Sequence, residues 1–176
     1  MKYINSDAFR KKFNKLTNNT AVNEKLRDYA IAMLTHRKGT DGEDLYLINT
    51  DGELLLRKIA GKNEFGVELS IEEVEELRKK YFGEIIGIHN HPTNVYPTGS
   101  DFAAMGYRGY KFGIIVTHSG KVYKYTCGSK PFLPHLFDAR VDKYMENPYN
   151  LELEKAHAKV LKEFEEEYGI TWMEIK

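Results

Sequence analysis

The chain has 176 residues, with 26 Lys and Arg against 26 Asp and Glu and a 41% hydrophobic content. That length suits one domain with a sizeable core, and a net charge of zero lacks the electrostatic footprint of a protein that tracks nucleic-acid phosphates. A single cysteine, Cys127, excludes an intramolecular disulfide and a Cys-rich zinc knuckle. No run approaches the roughly 20 apolar residues of a membrane span, and the N-terminal MKYINSDAFRKKF has no apolar stretch of signal-peptide length. A cytoplasmic protein with no membrane partner is expected.

Ser6 to Leu16 and Ala21 to His36 read as two helices. In the second, Leu26, Tyr29, Ala30 and Met33 recur at helical spacing, with Thr20 as its expected N-cap. Leu45–Asn49 and Glu53–Ile59 flank Thr50-Asp51-Gly52, which predicts a hairpin. Gly61 to Leu69 reads as a loop. Ser70 and Glu73 form a capping-box pattern opening a helix with Ile71, Val74, Leu77 and Tyr81 on its apolar side, stopped by Gly83.

Glu84 to His89 is a short apolar strand running into HPTNVYPTGSD, whose prolines and glycine rule out regular structure. A brief helix from Asp101 to Met105 follows. Phe112–His118 and Lys121–Thr126 bracket Ser119-Gly120 as a second hairpin, whose second strand alternates as an exposed or edge strand does. KPFLPHLF reads as a connector, and Leu151 to Tyr168 as a charged terminal helix. The order of elements predicts an α+β fold, a mixed sheet with helices packed on it. Its parts are N-terminal helices over 1–40, a core over 41–128 and a helical extension over 129–176.

The chemistry concentrates at His89-Asn90-His91-Pro92. Residues two apart at the end of a strand project to one face, so these imidazoles can grip one metal ion with Asn90 turned away. Asp101, folded back by the following loop, can supply a third ligand; on spacing alone the alternative is a pair of turn histidines making ordinary hydrogen bonds. Two nitrogens and a carboxylate with a fourth position open make a catalytic zinc arrangement rather than a closed structural one.

The longer string, His89-Asn90-His91-Pro92 followed by Thr98-Gly99-Ser100-Asp101, resembles the JAMM/MPN+ (JAB) metalloprotease family, whose signature is His-x-His-Pro, a loop, then Ser-x-x-Asp, with an upstream glutamate. The resemblance covers roughly Gly42 to Thr126. It implies a JAB/MPN-like, cytidine-deaminase-like curved mixed sheet flanked by helices. It also implies one Zn2+ held by His89, His91 and Asp101, and cleavage of a peptide or isopeptide bond, near a ubiquitin-like or other protein C-terminus by family precedent. By the same resemblance a glutamate acts as general base and acid, and a hydroxyl steadies the oxyanion.

The chain departs from the signature in a loop one residue shorter and in Thr98 where serine is expected. Thr98 keeps the spacing to Asp101 and is the preferred hydroxyl; Ser100 is the alternative. For the glutamate, Glu43 is preferred because it follows a helix and immediately precedes the first strand. Glu53, Glu64 and Glu84 are rivals, and Glu84 is set back from the metal end by about 16 Å of strand. The same segments also resemble JAB-domain proteins of phages and bacterial mobile elements. A non-catalytic JAB/MPN module for interaction or assembly, and a DNA-repair-associated JAB protein, are the alternative functions.

Of the remaining residues, His118 reads as a hairpin residue, His135 and His157 as surface, and Cys127 as structural. Asn90 either holds the loop or reaches substrate. Tyr107 to Tyr110, with Arg108, reads as packing. The letters His-Asn-His do not make an HNH endonuclease, whose residues are dispersed over a ββα-metal unit, and the charge balance opposes that reading too.

Overall fold

The computed structural model describes residues 3–61, 64 and 66–176. The loop expected over Gly61 to Leu69 therefore includes Lys62, Asn63 and Phe65, which lie outside the described residues. After a 3-10 turn at Tyr3–Asn5 come helices α1 (Asp7–Lys11) and α2 (Thr20–His36). Strands β1 (Asp44–Asn49) and β2 (Leu54–Ile59) form the first hairpin. Helix α3 (Ile71–Tyr81), strand β3 (Ile85–His91), helix α4 (Gly99–Arg108) and strand β4 (Tyr110–Thr117) follow. Strand β5 (Val122–Thr126), helices α5 (Pro134–Met145) and α6 (Leu153–Tyr168) and strand β6 (Thr171–Glu174) complete the chain.

The fold is α+β: a six-stranded mixed sheet in the order β2-β1-β3-β4-β5-β6, with helices on both faces. Among the described residues only β3 and β4 pair in parallel, which requires a crossover, and the loop 92–98 with α4 supplies it. Strand alternation sorts the core into two layers. Tyr46, Ile48, Ile86, Ile88, Ile114 and Val116 pack with α1 and α2. Leu45, Leu47, Ile85, Ile115, Tyr123 and Tyr125 pack with α3 to α6. Among the described residues no helix is long and apolar enough to cross a membrane.

Several predicted elements stand as read, including the hairpins and the capping box of Ser70 with Glu73. Others are corrected. The cap of α2 is Asn19, whose side chain accepts from the Ala21 and Val22 amides at 3.0 and 3.3 Å, not Thr20. The first helix is shorter than expected, and Ile71 is exposed rather than on the apolar side of α3. Strand β3 runs on through His91, and α4 continues to Arg108, where Gly109 closes it at φ +73°.

The expected edge strand β5 is interior. Tyr123 and Tyr125 are buried because β6 pairs outside it and α6 packs across it. The connector KPFLPHLF contains the start of α5, because proline is tolerated in the first turn, where the amide it lacks is unpaired anyway. The part of the chain beyond 128 thus belongs to the same core.

Two glycines shape the site-bearing face. A Cβ at Gly87 would stand 2.3 Å from the Tyr110 ring and one at Gly113 would stand 2.1 Å from the Tyr125 ring, so both tyrosines lie flat over bare backbone. A bulge between Ile85 and Ile86, with Tyr110 opposite Ile85 and Phe112 opposite Ile86, turns Tyr110 onto this face. Gly113→Ala should destabilise the protein by about 1–3 kcal/mol through overpacking. Urea denaturation checks this, and unchanged stability would mean that Tyr125 moves aside without cost.

Candidate metal centre

His89 and His91 occupy alternate positions of β3, on the face of Ile85 and Gly87, as the spacing predicted. Strand β1 is antiparallel to β3 with Leu45 opposite His89, and extending that register sets Glu43 opposite His91. Glu43 is therefore brought to the histidine end by alternation and pairing. Asp101 arrives from the other side, in the first turn of α4.

The three side chains converge. His89 Nε2 lies 3.1 Å from His91 Nε2 and 3.0 Å from Asp101 Oδ1, and His91 Nε2 lies 3.5 Å from Asp101 Oδ2. A tetrahedral zinc with bonds of about 2.0–2.1 Å spaces its ligand atoms by roughly 3.3 Å. The donor set therefore fits a zinc ion, and it is the group of His, Cys, Asp and Glu side chains that meets metal-ligand geometry among the described residues. His91 Nδ1 lies 3.2 Å from the Val95 carbonyl oxygen. Donation there fixes the tautomer and leaves Nε2 for a metal.

The electrostatics of the cluster are those of a cation site. Burial disfavours a charged His91, yet the adjacent Asp101 carboxylate, its hydrogen bond and Glu43 outweigh this and push His91 up to about 9. Burial likewise disfavours ionised Asp101, but the two histidines hold it well below the carboxylate range.

Thr98 is bonded directly to Asp101. Its amide and hydroxyl both donate to Asp101 Oδ2, at 2.7 and 2.8 Å, and its hydroxyl oxygen caps the Asp101 amide at 3.4 Å. Threonine thus serves as N-cap and aims the carboxylate, and its hydroxyl proton is committed there. Ser100 is exposed and lines the cavity over the histidines.

The backbone around Glu43 is clamped. Asn90, fully buried on the opposite face of β3, accepts from the Asp44 amide at 2.8 Å and donates to the Gly42 carbonyl at 3.1 Å. It holds the strand and does not face the cavity. The Glu43 carbonyl accepts from Ala60 N at 3.0 Å and from Arg37 Nη2 at 3.0 Å. Arg37 is anchored in turn by a buried ion pair with Asp44 at 2.5 Å. The rival glutamates are elsewhere. Glu53 binds Asn49 at the far end of β1, Glu64 caps the Gly61 amide, and Glu84 precedes the opposite end of β3.

A cavity of about 360 Å3 opens over the cluster, lined by Glu43, Ser100 and a mainly apolar wall that includes Leu45, Val67 and Tyr110. Arg108 and Tyr110, read from sequence as packing, both reach it. His157, expected at the surface, is buried and its Nε2 donates to the Pro97 carbonyl at 3.0 Å; burial lowers its pKa and keeps the ring neutral. Tyr96 packs edge-on against His157, Tyr123 and Trp172. The loop that leads to Asp101 is thus tied to α6 and β6. His135 is exposed, as expected. Cys127 is half-buried, and burial raises its thiol pKa, which suits a structural residue. His118 follows the end of β4, half-buried in the hairpin. Comparison with family models, with curated proteins and with solved structures finds no match for this chain.

Two outcomes follow from these contacts. Asn90→Ala strips the Asp44 amide and the Gly42 carbonyl of their partner and should cost about 1–3 kcal/mol in urea denaturation. A neutral result would remove Asn90 from the clamp. Metal-free protein should also show a pH signature. His91, raised to about 9, contributes stability that is full below its ordinary value of 6.5 and is lost as pH rises through about 9. Asp101, depressed, contributes above 3.8 and loses its contribution as pH falls through its lowered value. Melting temperature should therefore decline from pH 6.5 to 9 without metal, and added zinc, which displaces the proton, should flatten the decline. A flat metal-free profile would mean that the imidazoles carry no shared proton.

Proposed function

We propose that the chain is a single-zinc hydrolase of the JAMM type, on a JAB/MPN-like sheet, that cleaves a peptide or isopeptide bond. The observation that carries this reading is the convergence of His89, His91 and Asp101 at tetrahedral ligand spacing, with Glu43 lining the same cavity. The α+β architecture, a mixed sheet flanked by helices, is compatible with this reading.

When bound, a zinc ion with three protein ligands and an open fourth position lowers the pKa of water to about 7 and polarises a carbonyl. The chain supplies the rest. Glu43 takes the proton from the attacking water and returns it to the leaving nitrogen. Thr98 holds Asp101 in its ligating orientation. Ser100, whose hydroxyl is not committed to a cap, meets the developing oxyanion. The apolar wall of the cavity excludes solvent from the bond under attack. The substrate class is a protein or peptide, and a ubiquitin-like C-terminus is the precedent that the resemblance offers.

The test is zinc content together with turnover. Purified wild-type protein should hold one zinc per chain. His91→Ala should hold none while still unfolding cooperatively, since the core layers do not depend on the metal. Glu43→Gln should keep its zinc and lose about 10²–10⁴-fold in peptide hydrolysis. Wild-type protein that takes up no zinc would defeat the hydrolase reading in favour of a non-catalytic interaction module. Zinc-loaded Glu43→Gln protein with full activity would remove Glu43 from the mechanism.

A further inference from the structure

Asp101, Ala104 and Arg108 all line the cavity and lie at i, i+3 and i+7 of α4, along one helical face. The metal ligand is thus followed by a small residue that leaves room and then by a cation. Arg108 is half-buried. Its Nη1 donates to the Tyr110 hydroxyl at 3.2 Å and its Nη2 to the Val67 carbonyl at 3.1 Å. Both acceptors are neutral and together use two of the roughly five N–H donors of a guanidinium. Among the described residues no carboxylate lies within ion-pair distance of it.

A full positive charge is more than these two bonds require, since a neutral donor could make either. An unpaired cation in a partly apolar wall is disfavoured, the more so beside a divalent ion. Once a zinc ion is held, Asp101 and Glu43 balance it, and Arg108 is the charge left over in the cavity lining. We propose that Arg108 is an anion-binding position that selects substrates bearing a carboxylate near the scissile bond. This rests on the hydrolase reading above. Seven residues of helix separate Asp101 from Arg108 by about 10 Å along the axis. At about 3.3–3.6 Å per extended residue, that sets the carboxylate within about three residues of the cleaved bond. The carboxylate is that of an Asp or Glu side chain or of a chain terminus.

The experiment uses zinc-loaded Glu43→Gln protein, so that binding is read without turnover. Short peptides bearing a zinc-binding hydroxamate are titrated by calorimetry in three forms: an internal Glu with an amidated end, Gln with a free carboxylate end, and Gln with an amidated end. At least one carboxylate form should bind about tenfold more tightly than the uncharged form, and whichever does identifies the source. Adding Arg108→Ala should erase that preference, and Arg108→Glu should reverse it toward a Lys-bearing peptide. If Arg108→Ala fails to fold, Arg108→Gln, which can still donate to Val67, replaces it. Equal binding of all three forms by zinc-loaded protein overturns the anion site and leaves the hydrolase reading standing. Protein that holds no zinc defeats the hydrolase reading itself and the inference with it.

Discussion

A carboxylate largely removed from water must be compensated, and Asp101, whose side chain is 13% exposed, is compensated from three directions. Thr98 gives it an amide and a hydroxyl proton, the first turn of α4 gives it the positive end of a helix dipole, and β3 gives it two imidazoles. The first two are ordinary N-terminal capping and would satisfy an Asp in any helix. The third is not needed for capping, and it brings two nitrogen lone pairs to the same point. Two imidazole Nε2 atoms at 3.1 Å cannot both present lone pairs to each other. Something positive, a proton or a metal ion, must lie between them and the carboxylate, and the site's chemistry follows from that requirement.

Glu43 reaches the same point by a different route. It precedes β1 by one residue, where chain ends ordinarily fray, yet its backbone is fixed from both sides of the sheet. Asn90 pairs across to Gly42 and Asp44, while Arg37, locked to Asp44, holds the Glu43 and Ala60 carbonyls. The residue between the two histidines therefore does its work on the reverse face. Alternation turns it away from the cavity and toward the segment carrying the carboxylate opposite His91. One strand thereby orders two imidazoles and, through the asparagine between them, the backbone of Glu43.

The meeting of His89, His91 and Asp101 was legible in the sequence because His-x-His on a strand places both rings on one face, and because Asp101 keeps the spacing to Thr98 on which the resemblance rests. The position of Glu43 beside His91 was legible from its place before the first strand of a readable hairpin. What escaped the sequence depended on tertiary contact. The duty of Thr98 was obscured because the same hydroxyl serves as a cap or as an oxyanion donor, and only its partner decides. His157 read as surface because its helix is rich in charge, and nothing local reveals that Pro97 lies against it. Strand β5 read as an edge because its lysines alternate with tyrosines, whereas β6, at the far end of the chain, covers it. Arg108 read as packing because its cavity forms only when α4 lies over Tyr110.

These misses share a cause that bears on how the site is held. The segment 92–98 lies between His91 and Asp101 yet has no regular structure of its own, and fixing each such residue costs about 1–2 kcal/mol of backbone entropy. The segment is held from outside instead. Tyr96 is held among Tyr123, His157 and Trp172, the Pro97 carbonyl by His157, and Gly99 so close to α5 that a Cβ would meet Phe137 and the Pro134 carbonyl at 2.7 Å. Each of these anchors lies on β5, β6, α5 or α6. The position of Asp101 relative to the histidines is therefore set by elements after residue 120 as much as by the strand that bears them. The terminal helices and β6 form part of the apparatus that makes the three side chains converge, and a shorter unit ending after β5 would keep the motif while releasing the loop that gives it geometry.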